Sequence, residues 1–463
     1  MVEALGWAAF VVGFAGTWML VAARGYADGT KIAWFVATLA VPGWLIANFR
    51  SISLDAVTGV ALAMLLATLN RPYSGTRPRW VLCDLMVALV VLTAILSDAL
   101  NRILIPGTVI ELVRTWVLPY LVGRLFLRSW DEVRPVLPVL VALAAALSGF
   151  ALVEAVTKTN LLAVVTGIKW QLLETGEGFR WGLKRAQGNT NHPIYFGLLM
   201  TLTLPWVLMA ARAARNGEGP RWWAAVPAVA AAAAFVTVSR AAHLAVVFVF
   251  TCDLFFRRPT YRGPMLACAV FGGLAFLAFR QETLDLLGRY AGETDSYYET
   301  VRINGIDYEY TGTRHRDLLL VAYDEAIEQT GWVGYGTSFQ DMPLDPYMDG
   351  RFRSIDHHYL LHYLRYGALG IAAFLALAVA AAWNLGREAL ARDGPLSDLA
   401  AGLFGAFVAV TVMARGVAFS FDFAATWLFV AGLSASLAAR RAALVSSSAL
   451  DSTPPGFVPA DRP

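Results

Sequence analysis

Apolar runs separated by short polar breaks recur along the whole chain, at about 4–23, 31–48, 54–69, 80–99, 104–122, 135–157, 192–212, 223–239, 240–256, 264–280, 358–384, 397–414 and 419–439. A bilayer core about 30 Å thick takes roughly 20 apolar residues per helix. The pattern therefore predicts an all-α polytopic membrane protein with about twelve or thirteen transmembrane helices. The first run follows Glu3 rather than a basic segment, so it reads as a retained span and not as a cleaved signal. Residues 231–250, "AAAAFVTVSRAAHLAVVFVF", interrupt one long apolar stretch with Arg240. Residues 223–256 are too long for one crossing and suffice for two short ones, which puts Arg240 at the turn between them.

Two polar interruptions are long, 158–191 and 281–356, and a polar tail, 441–463, is expected to be disordered on the cytoplasmic side. Residues 1–440, with both loops, then form the transmembrane domain. Short loops rich in Lys and Arg stay cytoplasmic. The loops holding Arg71, Arg77 and Arg79, Arg124, Arg128 and Arg134, Arg212, Arg215 and Arg221, Arg257, Arg258 and Arg262, and Arg387 and Arg392 define one inner face, shared by Arg440 and Arg441. The two long loops fall on the other, extracytoplasmic face. Residues 281–356 carry 15 Asp or Glu against 6 Arg and are rich in tyrosine (Tyr290, Tyr297, Tyr298, Tyr308, Tyr310, Tyr323, Tyr335, Tyr347). Within them "RDLLLVAYDEAIEQ" (316–329) reads as an amphipathic helix on or near the membrane surface.

Composition agrees: 57% of residues are hydrophobic and 15% charged, which excludes an ordinary soluble domain. The net charge of +3 gives no reason to expect a nucleic-acid partner. Cys83, Cys252 and Cys268 all lie in apolar runs, so no disulfide framework or cysteine metal site is expected.

Chemistry-bearing residues collect on the loop side. All six histidines (His192, His243, His315, His357, His358, His362) fall there, with Lys184, Arg185, Arg240, Arg314 and Arg316. Basic residues on that face run against the positive-inside bias, and an anion at the outer leaflet would explain them. Arginine suits phosphate because its planar fork donates two hydrogen bonds and stays charged. Each could instead snorkel or pair with a carboxylate. His358 and His362, four apart, share a helix face but lack the intervening Glu of a zincin helix, so no metal is expected. Asp356, His357 or His358 could act as a general base. Glu111 and Arg114 read as a structural pair within the membrane.

The stretches "LPYLVGRLF" (118–126), "VEAVTKTN" (153–160), "RAQGNTNHPIYFGLLMTLTLP" (185–205), "VSRAA" (238–242), "GYGTSF" (334–339) and "DHHYLLHYLRYGALG" (356–370) occur in that order over about residues 110–385. This ordered set resembles the O-antigen ligase and polymerase superfamily of bacterial envelope glycosyltransferases, and most of all its exopolysaccharide polymerase branch. The resemblance implies a GT-C-like fold in the bacterial inner membrane with its active site on the extracytoplasmic face. It implies metal-independent, cofactor-free transfer of a glycan from an undecaprenyl-diphosphate carrier to an acceptor hydroxyl, on a glycan or a lipid core. By the resemblance Arg185 and Arg240 would bind the diphosphate, and a residue at the start of the last motif would act near the acceptor. Relatives carry a histidine eleven positions before a glycine; here, counting back from Gly367, that position is Asp356, so the role falls to Asp356 or His357. Lys184, His192, Arg314, Arg316 and Tyr359 are candidates for lining the cavity.

Other partners expected on this reading are membrane lipids and chain-length or export proteins. Ligation to a lipid core, protein O-oligosaccharyl transfer, transport of a lipid-linked sugar and a non-catalytic assembly role are alternatives. Transport predicts internal repeats and polar groups at mid-membrane, and no repeat is evident in the chain.

Overall fold

The computed structural model describes residues 2–49, 52–69, 79–127, 130–167, 179–180, 182–279, 282, 299–310, 314–344, 350–391, 394–419 and 421–451. Arg71, Arg77, Arg128, Arg392, Tyr290, Tyr297, Tyr298, Tyr347 and the tail from 452 lie outside them. Most of each apolar run is helical. In chain order they form α1 (Val2–Arg24), α2 (Tyr26–Leu39), α3 (Ala56–Leu69), α4 (Leu82–Leu100), α5 (Pro106–Leu112), α6 (Leu118–Phe126), α7 (Leu137–Thr157), the short α8 (Leu161–Thr166), α9 (Pro193–Arg215), α10 (Val226–Phe235), α11 (Arg240–Arg257) and α12 (Pro259–Ala278). After the large loop, with α13 (His315–Ala322) and α14 (Asp324–Gln329), come α15 (His358–Ala391), α16 (Pro395–Met413) and α17 (Phe421–Asp451). Seven helices among the described residues are long and apolar enough to cross a membrane, so the chain is a multi-pass membrane protein.

Several expected spans are shorter or broken. Helices α2 and α3 have 14 residues each, about 21 Å at 1.5 Å per residue, less than a bilayer core. A hairpin, β1 (Ala47–Phe49) with β2 (Ile52–Leu54), joins them. The run expected at 31–48 ends early because Pro42 and Gly43 follow α2 and the Gly43 amide bonds the Asn189 carbonyl at 2.8 Å. Between α5 and α6 the chain makes a π-helical turn, Val113–Val117, just before Pro119, whose ring and missing N–H exclude a regular α turn. That turn carries buried Arg114, which bonds Glu111 (Nε to Oε2, 2.8 Å) and also Asp55 at 3.2 Å. The structural pair expected there is thus a triad. At the C-terminus α17 runs on through "VSSSALD" to Asp451, where the sequence pattern had suggested disorder from 441; Ala and Leu after Arg441 keep helix propensity high.

Glycines set the closest helix contact. Helices α6 and α17 pack along each other, and a Cβ on Gly123 or on Gly432 would lie 1.9 Å from the partner's backbone oxygen, Phe429 O or Tyr120 O. Small residues let membrane helices approach to backbone contact. Gly432→Leu should therefore lower the unfolding midpoint in detergent by far more than Gly149→Leu, where a Cβ meets nothing within 4 Å; equal midpoints would refute this close contact.

The described part of the large loop builds a small lobe with its own core. Strands β5 (Glu299–Ile303) and β6 (Ile306–Tyr310) form a hairpin around Asn304–Gly305, both at positive φ, as a two-residue Asn-Gly turn favours. The segment 316–329 breaks at Tyr323 into α13 and α14, and its apolar residues Leu318, Leu319, Ala322 and Ala326 cluster with Val301, Ile303, Phe352, Leu360 and Leu364. Its apolar face thus covers protein, where the sequence suggested a membrane surface.

The lobe is keyed into the bundle at a kink. Helix α15 departs from helical geometry at Gly367 (φ 66°, ψ −164°), and the neighbouring stretch 331–337 supplies the missing partners. Amides of Ala368 and Leu369 donate to the carbonyls of Gly331 and Trp332 (both 3.1 Å), and those of Tyr335 and Gly336 donate to Leu364 and Arg365 (both 2.8 Å). The buried Asp98 carboxylate on α4 accepts the Thr337 amide at 2.7 Å. Thus "GYGTSF" and Gly367, both noted in the sequence, are one joint, and Asp356 lies eleven residues before Gly367, just ahead of the start of α15.

Candidate functional site

The arginines meet at the face bearing the lobe. Arg185 follows a hairpin of β3 (Phe179–Arg180) and β4 (Leu183–Lys184). Its loop is held by one buried carboxylate. Glu154 on α7 pairs with Lys184 (3.1 Å, both side chains 2% exposed), and its Oε2 accepts from the amides of Gln187 (3.2 Å) and Gly188 (3.0 Å) and from Asn160 Nδ2 (3.1 Å). Three donors and one cation make a buried carboxylate tolerable. Gly188 has φ +57°, and a Cβ there would lie 2.4 Å from the Phe196 ring. The loop ends where His192 caps α9, its Nδ1 accepting the Ile194 amide at 3.1 Å.

The same loop is tied to the α10–α11 turn. The Ala186 amide donates to Val236 O at 3.1 Å, and Arg185 Nε donates to Thr237 O at 3.2 Å. Buried Val238 has φ 47°, a left-handed conformation costly for a β-branched residue. The chain reverses there, and Arg240 opens α11 two residues later. The turn expected at Arg240 is present, and Arg185 is hydrogen-bonded to it.

Arg316 on α13 reaches in from the lobe, donating from Nε (3.0 Å) and Nη2 (2.7 Å) to Gly416 O, after α16. Burial lowers its pKa, Asp356 opposes the shift, and the charges of Arg240 and Arg180 add to it. His192 is pushed down to about 4 by burial and then by Arg185, Arg316 and Arg180. Arg180, Arg185 and Arg316 thus lie within electrostatic reach of His192, and Arg180, Arg240 and Asp356 within reach of Arg316. Asp356 is exposed, and its Oδ1 accepts from Ser354 Oγ at 3.1 Å.

Other candidates lie elsewhere or are already engaged. Lys184 is committed to Glu154. Arg314 is exposed and paired with Glu309 at 2.7 Å. His357 uses Nδ1 to accept the Leu360 amide at 3.1 Å, capping α15, and burial and then Arg415 lower its pKa. His358 is buried in an aromatic box, stacked on Phe419 with ring centres 4.3 Å apart. Its ring centre is 5.4 Å from that of His362, and no group of three His, Cys, Asp or Glu that could hold a metal occurs among the described residues. Tyr359 donates its hydroxyl to Thr411 O. His243 bonds Phe235 O at 2.8 Å and stacks on the Phe235 ring.

Two features escaped sequence reading. Arg180 lies in the part of the 158–191 loop that no motif covered; its basic charge on the outer face was the available signal. Asn304–Gly305 between β-branched residues signalled a hairpin. The sequence matches no protein-family model and no characterised protein.

His192 gives a pH prediction. Its folded pKa of about 4 lies below the ordinary 6.5, so between these values the unfolded chain binds more protons, and stability falls as pH drops through that window. The unfolding midpoint should decline from pH 6.5 towards 4, and His192→Gln should make that decline shallower. An unchanged slope would contradict the half-buried, neutral imidazole.

Proposed function

We propose that the protein transfers a glycan from an undecaprenyl-diphosphate carrier to an acceptor hydroxyl at the face carrying the lobe, polymerising repeat units of a bacterial envelope polysaccharide, in a GT-C-like fold of the inner membrane. What supports this reading is that Arg180, Arg185, Arg240 and Arg316 lie within electrostatic reach of His192 or of one another, with Asp356 near Arg316, and that Arg185 is hydrogen-bonded to the turn that precedes Arg240. Such a field suits a diphosphate leaving group, whose departure needs charge stabilisation above all. Arg185 and Arg240, coupled through the Thr237 carbonyl, clamp the diphosphate, and Arg316 closes it from the lobe side. The acceptor oxygen attacks the anomeric carbon, the carbon–oxygen bond to the diphosphate breaks, and Asp356 takes the hydroxyl proton. Asp356 is preferred to His357, whose Nδ1 is occupied in capping α15, and to His358, which faces the aromatic box.

Asp356→Asn should lower turnover by about 10²–10⁴-fold, whereas His357→Gln should act mainly on stability. The decisive assay supplies an undecaprenyl-diphosphate-linked repeat unit to the protein in nanodiscs without divalent metal and follows carrier release and glycan size. Release with longer glycans supports polymerisation. Release only with a lipid-core or protein acceptor would indicate ligation or oligosaccharyl transfer, and no release by folded protein would overturn the proposal in favour of transport.

A further inference from the structure

On the face opposite the lobe, a cavity of about 400 Å³ opens between the end of α11, α15 and the start of α16. It is lined by Phe256, Arg257, Arg258, Ala389, Ser397 and Ala401, with Gly394 and Asp398 at its edge. Its volume falls within the range of about 300–1,000 Å³ common for ligand clefts.

The charges around it are unequal in their commitments. Arg257 bonds Asp398 at 3.3 Å and Asp253 at 3.6 Å, and Arg212 pairs with the same two carboxylates, so two arginines and two aspartates neutralise one another. Arg262 is turned away, donating to the carbonyls of Phe255 and Phe256 at 3.0 and 2.9 Å. Arg258 also lines the cavity, and no carboxylate lies within ion-pair distance of it among the described residues. Ser397 adds a hydroxyl-bearing side chain to the wall. Around this polar hollow the outward helix faces are apolar and exposed, with Leu254 on α11 and Trp383 and Leu390 on α15.

We propose that this cavity binds the headgroup phosphate of an anionic glycerophospholipid. The Arg258 guanidinium suits a phosphodiester, and the exposed apolar residues on the neighbouring helix faces suit the acyl chains of a lipid in the adjoining leaflet. A soluble phosphate would have the first match and lack the second. Basic residues at a membrane surface attract anionic lipid at about 1 kcal/mol each; a half-open cavity adds shape selection. The site lies on the face away from the arginine cluster, so the inference stands independently of the proposed reaction.

The test uses the full chain in detergent with phosphatidylglycerol, phosphatidylcholine, inorganic phosphate or glycerol phosphate added. Native mass spectrometry and thermal unfolding supply the readouts. Phosphatidylglycerol should remain bound and raise the midpoint, and phosphatidylcholine should not. Arg258→Ala should weaken phosphatidylglycerol binding about tenfold, the loss of a single charge-assisted contact of about 1.4 kcal/mol, and Ala401→Leu should weaken it by occupying the cavity. Arg221→Ala, an exposed arginine outside the cavity, should leave it unchanged. Equal loss in Arg258→Ala and Arg221→Ala would mean diffuse surface attraction and overturn the proposal. Saturation by inorganic phosphate or glycerol phosphate at the same midpoint shift would assign the cavity to a soluble anion and overturn the lipid.

Discussion

Arg240→Ala is expected to lower glycan transfer by about a hundred- to a thousandfold, the usual effect of deleting one donor that stabilises charge developing in a transition state. Arg185→Ala should do the same, and because Arg185 is bonded to the turn that presents Arg240, the double variant should lose less than the product of the two factors. Arg240→Lys keeps the charge and loses the planar fork, so it should retain only part of the activity. Binding of a non-hydrolysable diphosphate analogue should weaken in parallel with turnover. Wild-type turnover in Arg240→Ala, with helix content and elution volume unchanged, would remove the central support for the proposed reaction.

Glu154→Ala should be the most destabilising single substitution in this region, costing about 3–5 kcal/mol, because it leaves Lys184 charged and buried without its partner. The amides of Gln187 and Gly188 lose their acceptor as well. The expected result is a sharply lower unfolding midpoint together with loss of activity, since the loop it anchors carries Arg185. Glu154→Gln combined with Lys184→Met separates the two contributions. The amide oxygen still accepts a backbone N–H, and the buried charge is gone from both sides. That double variant should recover much of the stability lost in Glu154→Ala. If it is no more stable than Glu154→Ala, the buried ion pair is not what holds the loop.

The two predictions test different links of the same chain of causes. The first tests what the guanidiniums do, and the second tests why they are where they are. A structural role for Arg240 alone would show as a lowered midpoint with a normal turnover per folded molecule.

The hydrophobic pattern determined a great deal. In a bilayer every backbone group must be satisfied within the segment, which favours helix in long apolar runs, and most of each described run is helical. The charge of the short loops, the turn at Arg240 and the nearness of Glu111 to Arg114 were likewise local matters, readable from spacing. Lengths were less legible. The 31–48 run fails as a single span at Pro42 and Gly43, and the Gly43 amide is taken by the carbonyl of Asn189, a distant partner that no local propensity announces.

What tertiary structure alone decided was the distribution of roles among like residues. In sequence Lys184 and Arg185 are adjacent cations, yet one is paired with Glu154, which is 30 positions away, and the other reaches the α10–α11 turn. Arg314 and Arg316 are two apart, and the helical turn sends one to solvent and Glu309 and the other to Gly416 and the arginine field. His357 and His358 are neighbours, and one caps a helix while the other enters an aromatic box. Composition and periodicity act along the chain and so determine which segments are helical and which face of the membrane holds the charge. Which carboxylate or carbonyl each guanidinium meets depends on distant segments, and only the packed structure brings those together.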